Sequence, residues 1–192
     1  MPMMKENKVA GKLIPSASVP WLSRTFSFTL PLTAFREIVG RLALMPECAR
    51  SLGDSLTEQE LNAKNGSQWS AKEHIGHLDD LASLDEKRFN EFLDGVKSLS
   101  PADMTNKTTE LARHNETSWA ELVTRLKENR LRLVTQIQNL TNEQPLRTAL
   151  HVRLRQQMRL LDWLWFVAEH DDHHLAAAQN AIDFGRSRSQ TR

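Results

Sequence analysis

The chain has 192 residues, 40% hydrophobic and 26% charged, with a formal net charge of +1. That length fits one domain with a continuous core, and the near-balanced charge excludes a strong field for nucleic acid or membrane surfaces. One cysteine, Cys48, excludes an intrachain disulfide and a thiolate metal cluster, and the lack of Tyr excludes phenol acid chemistry.

In chain order, residues 1–20 are polar, carry Pro15 and Pro20, and are expected to form a poorly ordered arm without the apolar core of a signal peptide. Thr25–Thr29 is the single short stretch of strand-like alternation. The first helix is expected from Pro31, a good first-turn residue, to Met45, ending before Pro46. The second has the clearest start, a capping box with Ser70 as N-cap and Glu73 three residues on, and is expected to run to Asp94 with Gly95 as its stop. A link of about 20 residues, Gly95 to Asn115, predicts a long crossover before the third helix at Glu116–Leu140. On that helix Arg125, Lys127, Arg130 and Arg132 read as a solvated face interspersed with Glu121 and Glu128. The fourth helix is expected over Arg155–Asp183, followed by a basic tail at 185–192. No apolar run is long enough to span a membrane, and a cytoplasmic protein is expected.

Five of the seven histidines fall in two clusters, Glu73-His74-Ile-Gly-His77 and Glu169-His170-Asp-Asp-His173-His174. At about 100° per residue, His170 and His174 share a sector with Leu160, Trp163, Val167, Ala177 and Ala181, while Asp162, Glu169, Asn180 and Asp183 lie on another face. His173 falls at the boundary. On the second helix His77 shares its sector with Leu81 and Leu84, and His74 is also on the apolar side, so phase leaves both open. Histidines at i and i+4 project from one side of a helix and can share an ion. A third from another helix completes a facial set with an open position, the arrangement of catalytic rather than structural sites. Imidazole suits zinc, nickel, copper and iron(II) alike. A ferritin-like di-metal centre needs Glu-x-x-His on two helices, which neither cluster supplies.

Trp69-Ser-Ala-Lys-Glu-His-Ile-Gly-His77-Leu-Asp and Ala168-Glu-His170-Asp-Asp-His-His174-Leu resemble the two histidine motifs of the DinB-like superfamily, its YfiT-like metal-dependent hydrolases included. Trp21–Phe26 resembles that family's lead-in to helix 1, and Thr148–His151 its lead-in to helix 4, with Val152 where Pro is expected. The resemblance spans residues 21–184 and implies an all-α four-helix bundle in up-down-down-up order. It also implies His77, His170 and His174 as the ligands of one divalent transition metal, zinc first, with nickel or iron as alternatives. The implied function is a hydrolase, or a transferase or isomerase using a low-molecular-weight thiol, acting on a small-molecule substrate. A homodimer is implied as well. Glu73, one turn before His77, and Asp171, beside the sector on the fourth helix, are the candidate general bases. The alternative is a non-catalytic metal-binding helical module.

Overall fold

The computed structural model describes residues 8–9, 12–13 and 19–189. Most of the expected N-terminal arm, and the last three residues of the basic tail, lie outside the described residues. Strands β1 (Lys8–Val9) and β2 (Lys12–Leu13) pair antiparallel. The chain then runs extended through the lead-in, where Phe26, Phe28 and Leu30 are half-buried and the residues between them exposed. The alternation at Thr25–Thr29 is therefore real, but the segment lies on helices and has no ladder partner to make it a strand.

Helix α1 covers Phe35–Gly53 and runs straight through Pro46. An interior proline costs a helix about 3 kcal/mol. Here that cost is offset by the second half of the helix, which buries Met45, Cys48, Ala49 and Leu52. Thr57 caps the short α2, Glu58–Leu61. The capping box at Ser70 and Glu73 forms as expected, and α3 runs over Ala71–Asp80. The expected second helix is interrupted at Leu81 and resumes as α4, Ala82–Asp94, which Gly95 ends in the left-handed conformation at φ 72°.

The crossover carries α5, Lys107–Leu111, and leads to α6, Trp119–Gln138, with Ser118 as N-cap. The fourth helix starts later than expected. Arg155 lies at φ 52° in the turn of a hairpin formed by β3 (Thr148–His151) and β4 (Gln156–Arg159). Helix α7 spans Leu160–Ser189, and Asp162 accepts from the backbone N–H of Arg159 at 3.0 Å, closing its first turn. Asp162 is thus buried beside Arg159 rather than on a polar face.

Around the bundle, α1 and α3 each pack against both α6 and α7. The core divides into two apolar clusters. One gathers Leu42, Phe89, Phe92, Leu133, Ile137 and Trp163, and the other gathers Met45, Leu52, Ile75, Leu78, Leu126 and Ile182. On α3–α4, α6 and α7 the change from one cluster to the other crosses polar residues: Asp79 to Arg88, Asn129 and Arg130, and Glu169 to His174. A polar belt therefore runs through the middle of the bundle; it holds the second histidine cluster, and His77 of the first meets it at the rings of His170 and His174. No helix among the described residues is long and apolar enough to cross a membrane.

Candidate metal centre

His77 on α3 and His170 and His174 on α7 each offer one ring nitrogen, and these three atoms lie within 4.8 Å of one another. The Nε2 atoms of His170 and His174 approach to 3.1 Å. Two of the rings, those of His77 and His174, are held from behind. His77 Nδ1 donates to Thr109 Oγ1 at 2.9 Å, because that hydroxyl gives its own proton to Asp80 Oδ2 at 2.8 Å. Asp80 also accepts from His114 Nε2 at 2.9 Å. This chain of bonds fixes the proton of His77 on Nδ1 and leaves the Nε2 lone pair for a ligand. Nδ1 of His174 lies 2.9 Å from Nδ1 of His74, so His74, which helical phase left open, stands behind His174 rather than among the three that meet. His173 also stays outside the set, with its Nδ1 3.3 Å from Arg24 Nη2.

The electrostatics favour the metal-binding form. Burial pushes His77 down to about 4, with His114 adding to the effect against Asp80. Burial and the neighbouring rings push His170 and His174 well below the usual histidine range. Three buried imidazoles are thus neutral at pH 7, as metal ligation requires. Two tryptophans flank them: Trp21 from the lead-in lies 4.8 Å from the His170 ring, and Trp69 lies 4.9 Å from His77.

The three histidines open on a cavity of about 200 Å³, whose wall includes Trp21, Trp69, Asp85, Arg88, His151 and Arg153. Neither carboxylate expected as a general base lines it. Glu73 accepts from the Ser70 backbone N–H at 2.8 Å and pairs with Lys64 at 2.9 Å. Burial raises its carboxyl, but Lys64 and the Ser70 N–H outweigh that and hold it below the ordinary value. Asp171 points into the bundle and pairs with Arg130 at 2.8 Å, and burial pushes it up to about 7 despite that guanidinium. Arg130, read from sequence as part of a solvated face, is 5% exposed and also approaches Asp85 at 3.5 Å. Its spacing from Leu126, Leu133 and Ile137 was the signal of burial. Thr109, Asp80 and His114 went unread. Asp80 belongs to the first motif, but Thr109 and His114 come from the crossover, where no periodicity marks them.

Residues 41–178 match the sequence profile of the DinB superfamily. The chain belongs to that superfamily. No curated protein sequence matches it. Among solved structures it is similar to YfiT from Bacillus subtilis, described as "a probable metal-dependent hydrolase with an unusual four-helix bundle topology". The TM-score is 0.72 at 18% sequence identity, over 88% of this chain and 94% of that one. At that identity the likeness shows the four-helix fold.

Proposed function

We propose that this DinB-superfamily protein is a metal-dependent enzyme that holds one divalent transition metal on His77, His170 and His174. Zinc is the first choice, with nickel or iron as alternatives. The proposed reaction is hydrolysis of a small molecule, or transfer or isomerisation with a low-molecular-weight thiol. The observation that carries this reading is the meeting of three neutral imidazole nitrogens at one end of an open cavity. The donor set fits the ion, since three neutral imidazole nitrogens, those of His77 and His174 supported by partners behind them, would hold it and leave room for a further ligand. A divalent ion held there supplies a Lewis acid that polarises a substrate oxygen and acidifies water or a thiol.

The chain's own residues then have distinct tasks. Trp21 and Trp69 shield the imidazoles from bulk water. Thr109 and Asp80 hold the proton of His77 at Nδ1. Glu73 and Asp171, in this reading, position the helices that carry the ligands, Glu73 by capping α3 and Asp171 by tying α7 to α6. The up-down-down-up order is proposed with the fold. Gly53, which ends α1, lies under Trp119, which starts α6, and Phe92 late in α4 meets Trp163 early in α7. A homodimer is proposed on the family resemblance alone. Trp165, one candidate for an interface, is covered by Phe26 and Phe28 of the lead-in.

The test is elemental analysis of the purified protein, followed by assays of ester hydrolysis and thiol transfer on the metal-loaded, chelated and His170→Ala forms. Turnover restricted to the metal-loaded wild type supports the enzyme. Metal that binds tightly with no turnover and no exchangeable coordination position moves the reading to a metal-binding module.

A further inference from the structure

The cavity wall beside the three histidines carries two buried donors, on His151 and Arg153, that no described residue satisfies. His151 ends β3 and is 2% exposed. Its Nδ1 accepts from the Leu154 backbone N–H at 3.3 Å, so its proton sits on Nε2, and that buried N–H meets no acceptor among the described residues. Arg153, in the hairpin turn, lies over the Phe166 ring at 5.7 Å, and its Nη2 is buried and equally without an acceptor. Arg88, 7% exposed on α4, spends only its Nε, on Ser100 O at 2.9 Å. All three residues line the cavity that receives the histidines.

The carboxylates in the same wall are shared or engaged elsewhere. Asp85 is divided between Arg130, at 3.5 Å, and Arg88. Asp103 accepts from Thr105 and from the Lys107 backbone N–H within its own loop. Burial lowers the pKa of both Arg88 and Arg153; Asp85 and Glu91 work against it at Arg88, and the charge of Arg153 adds to it. Two partly desolvated guanidiniums close enough to oppose each other, with a buried imidazole N–H beside them, form the environment that an anion relieves.

We propose that this wall is an anion subsite, in which Arg153, Arg88 and the Nε2–H of His151 bind a carboxylate or phosphoryl group of the small molecule that reacts at the histidine centre. The proposal rests on the cavity being an active site, but the subsite itself belongs to the protein without metal. Planar guanidiniums match both oxyanions in a two-pronged geometry that lysine cannot reproduce.

The test is carried out on the full-length, metal-free protein at constant ionic strength, titrated separately with succinate and inorganic phosphate and followed by calorimetry and by the fluorescence of Trp21 and Trp69. Saturable binding of one is expected, and which anion binds separates a carboxylate from a phosphoryl substrate. Arg153→Gln should weaken it by about tenfold or more, the scale of one charge-assisted hydrogen bond. Arg153→Lys should fall between, and His151→Gln offers a second, uncharged perturbation of the same site. Absence of saturation with both anions overturns the subsite, as does equal affinity in wild type and Arg153→Gln when both melt cooperatively. A parallel zinc titration separates the two readings. Phosphate or succinate binding without zinc binding sinks the metal centre and leaves the subsite, and the reverse sinks the subsite alone.

Discussion

At His77 the choice of ring nitrogen is made three residues away. Thr109 has one proton to give, Asp80 takes it, and His77 must then donate through Nδ1 and present Nε2 to the cavity. Thr109→Val or Asp80→Asn should therefore weaken metal binding by about 10–100-fold without removing a ligand, as read by competition with a calibrated chelator. His170→Ala should abolish most metal content, whereas His173→Ala, whose ring sits beside Arg24, should leave it nearly intact. Equal losses in those two variants would refute the ligand assignment. A second residue-scale prediction concerns Arg130, which stands between the buried carboxylates of Asp85 and Asp171. Arg130→Met removes the ion pair of Asp171 and leaves Asp85 with Arg88 alone, and should destabilise the fold by about 3–5 kcal/mol, measured from the denaturation midpoint. His170 and His174 were legible in the sequence because a helix repeats, and a histidine in phase with Leu160 has to point inward; on the first motif phase left His74 and His77 both open, and the family resemblance singled out His77. Arg130 obeyed the same rule in phase with Leu126 and Leu133, yet its charge suggested solvent. Only the partners Asp85 and Asp171, from two other helices, make its burial tolerable.

Elements whose ends are set by local chemistry match their sequence signals, and those set by packing do not. Ser70 with Glu73, and Gly95, mark real boundaries because the capping side chain or the left-handed backbone acts on its own neighbours. Pro46 misleads because the apolar face that continues past it outweighs the lost hydrogen bond. In the β3–β4 hairpin, the turn residue and second strand, Arg155–Arg159, read from sequence as the start of the fourth helix. Its sequence, Thr148 to Arg159, has no Asn-Gly or Asp-Gly turn, and Arg155 takes the left-handed position in its place. The packing of the crossover on α3 turns on Gly76, in the middle of the first histidine motif. A Cβ there would lie 2.3 Å from the His114 ring, so only glycine lets His114 reach Asp80 across the helix. Gly76→Ala should cost about 1–3 kcal/mol in stability, in the range of overpacked cores. It should also lower metal affinity by displacing the His114–Asp80–Thr109 support. Chemical denaturation and chelator competition on the same variant check both effects, and an alanine variant with unchanged metal affinity would show that the His114 contact is dispensable to the site.

Across the whole molecule, the two apolar clusters on either side of the polar belt make the fold independent of a bound ion, while the belt makes it sensitive to one. Each cluster contains residues from α1, the α3–α4 pair, α6 and α7, so removing metal leaves helix packing on both sides intact. An ion that binds only the folded state adds about 2.7 kcal/mol at a hundredfold excess over its dissociation constant. For a domain of this size that corresponds to roughly 5–10 °C in melting temperature. Chelation should lower the melting temperature by that order and leave a cooperative helical protein. Complete unfolding on chelation would show that the belt needs its metal to fold. The pH dependence follows from the same burial. His74, His77 and His151 are each pushed by burial to about 4 in the folded protein, against 6.5 in an unfolded chain. Between those values the unfolded chain binds more protons, so stability falls as pH falls. The metal-free protein should therefore be most stable above about pH 6.5 and lose stability progressively towards pH 4. Because the ligands are already neutral in the folded state, protons compete poorly for them at mildly acidic pH, and bound zinc should widen the stable range downwards. Melting curves of the zinc-loaded and chelated forms at matched pH from 7.5 to 4 should therefore fall in parallel, separated by a constant zinc increment, until proton binding overtakes the metal near pH 4. Curves that converge already at pH 6 would mean that the imidazoles titrate as exposed histidines do, and that the belt is open to solvent.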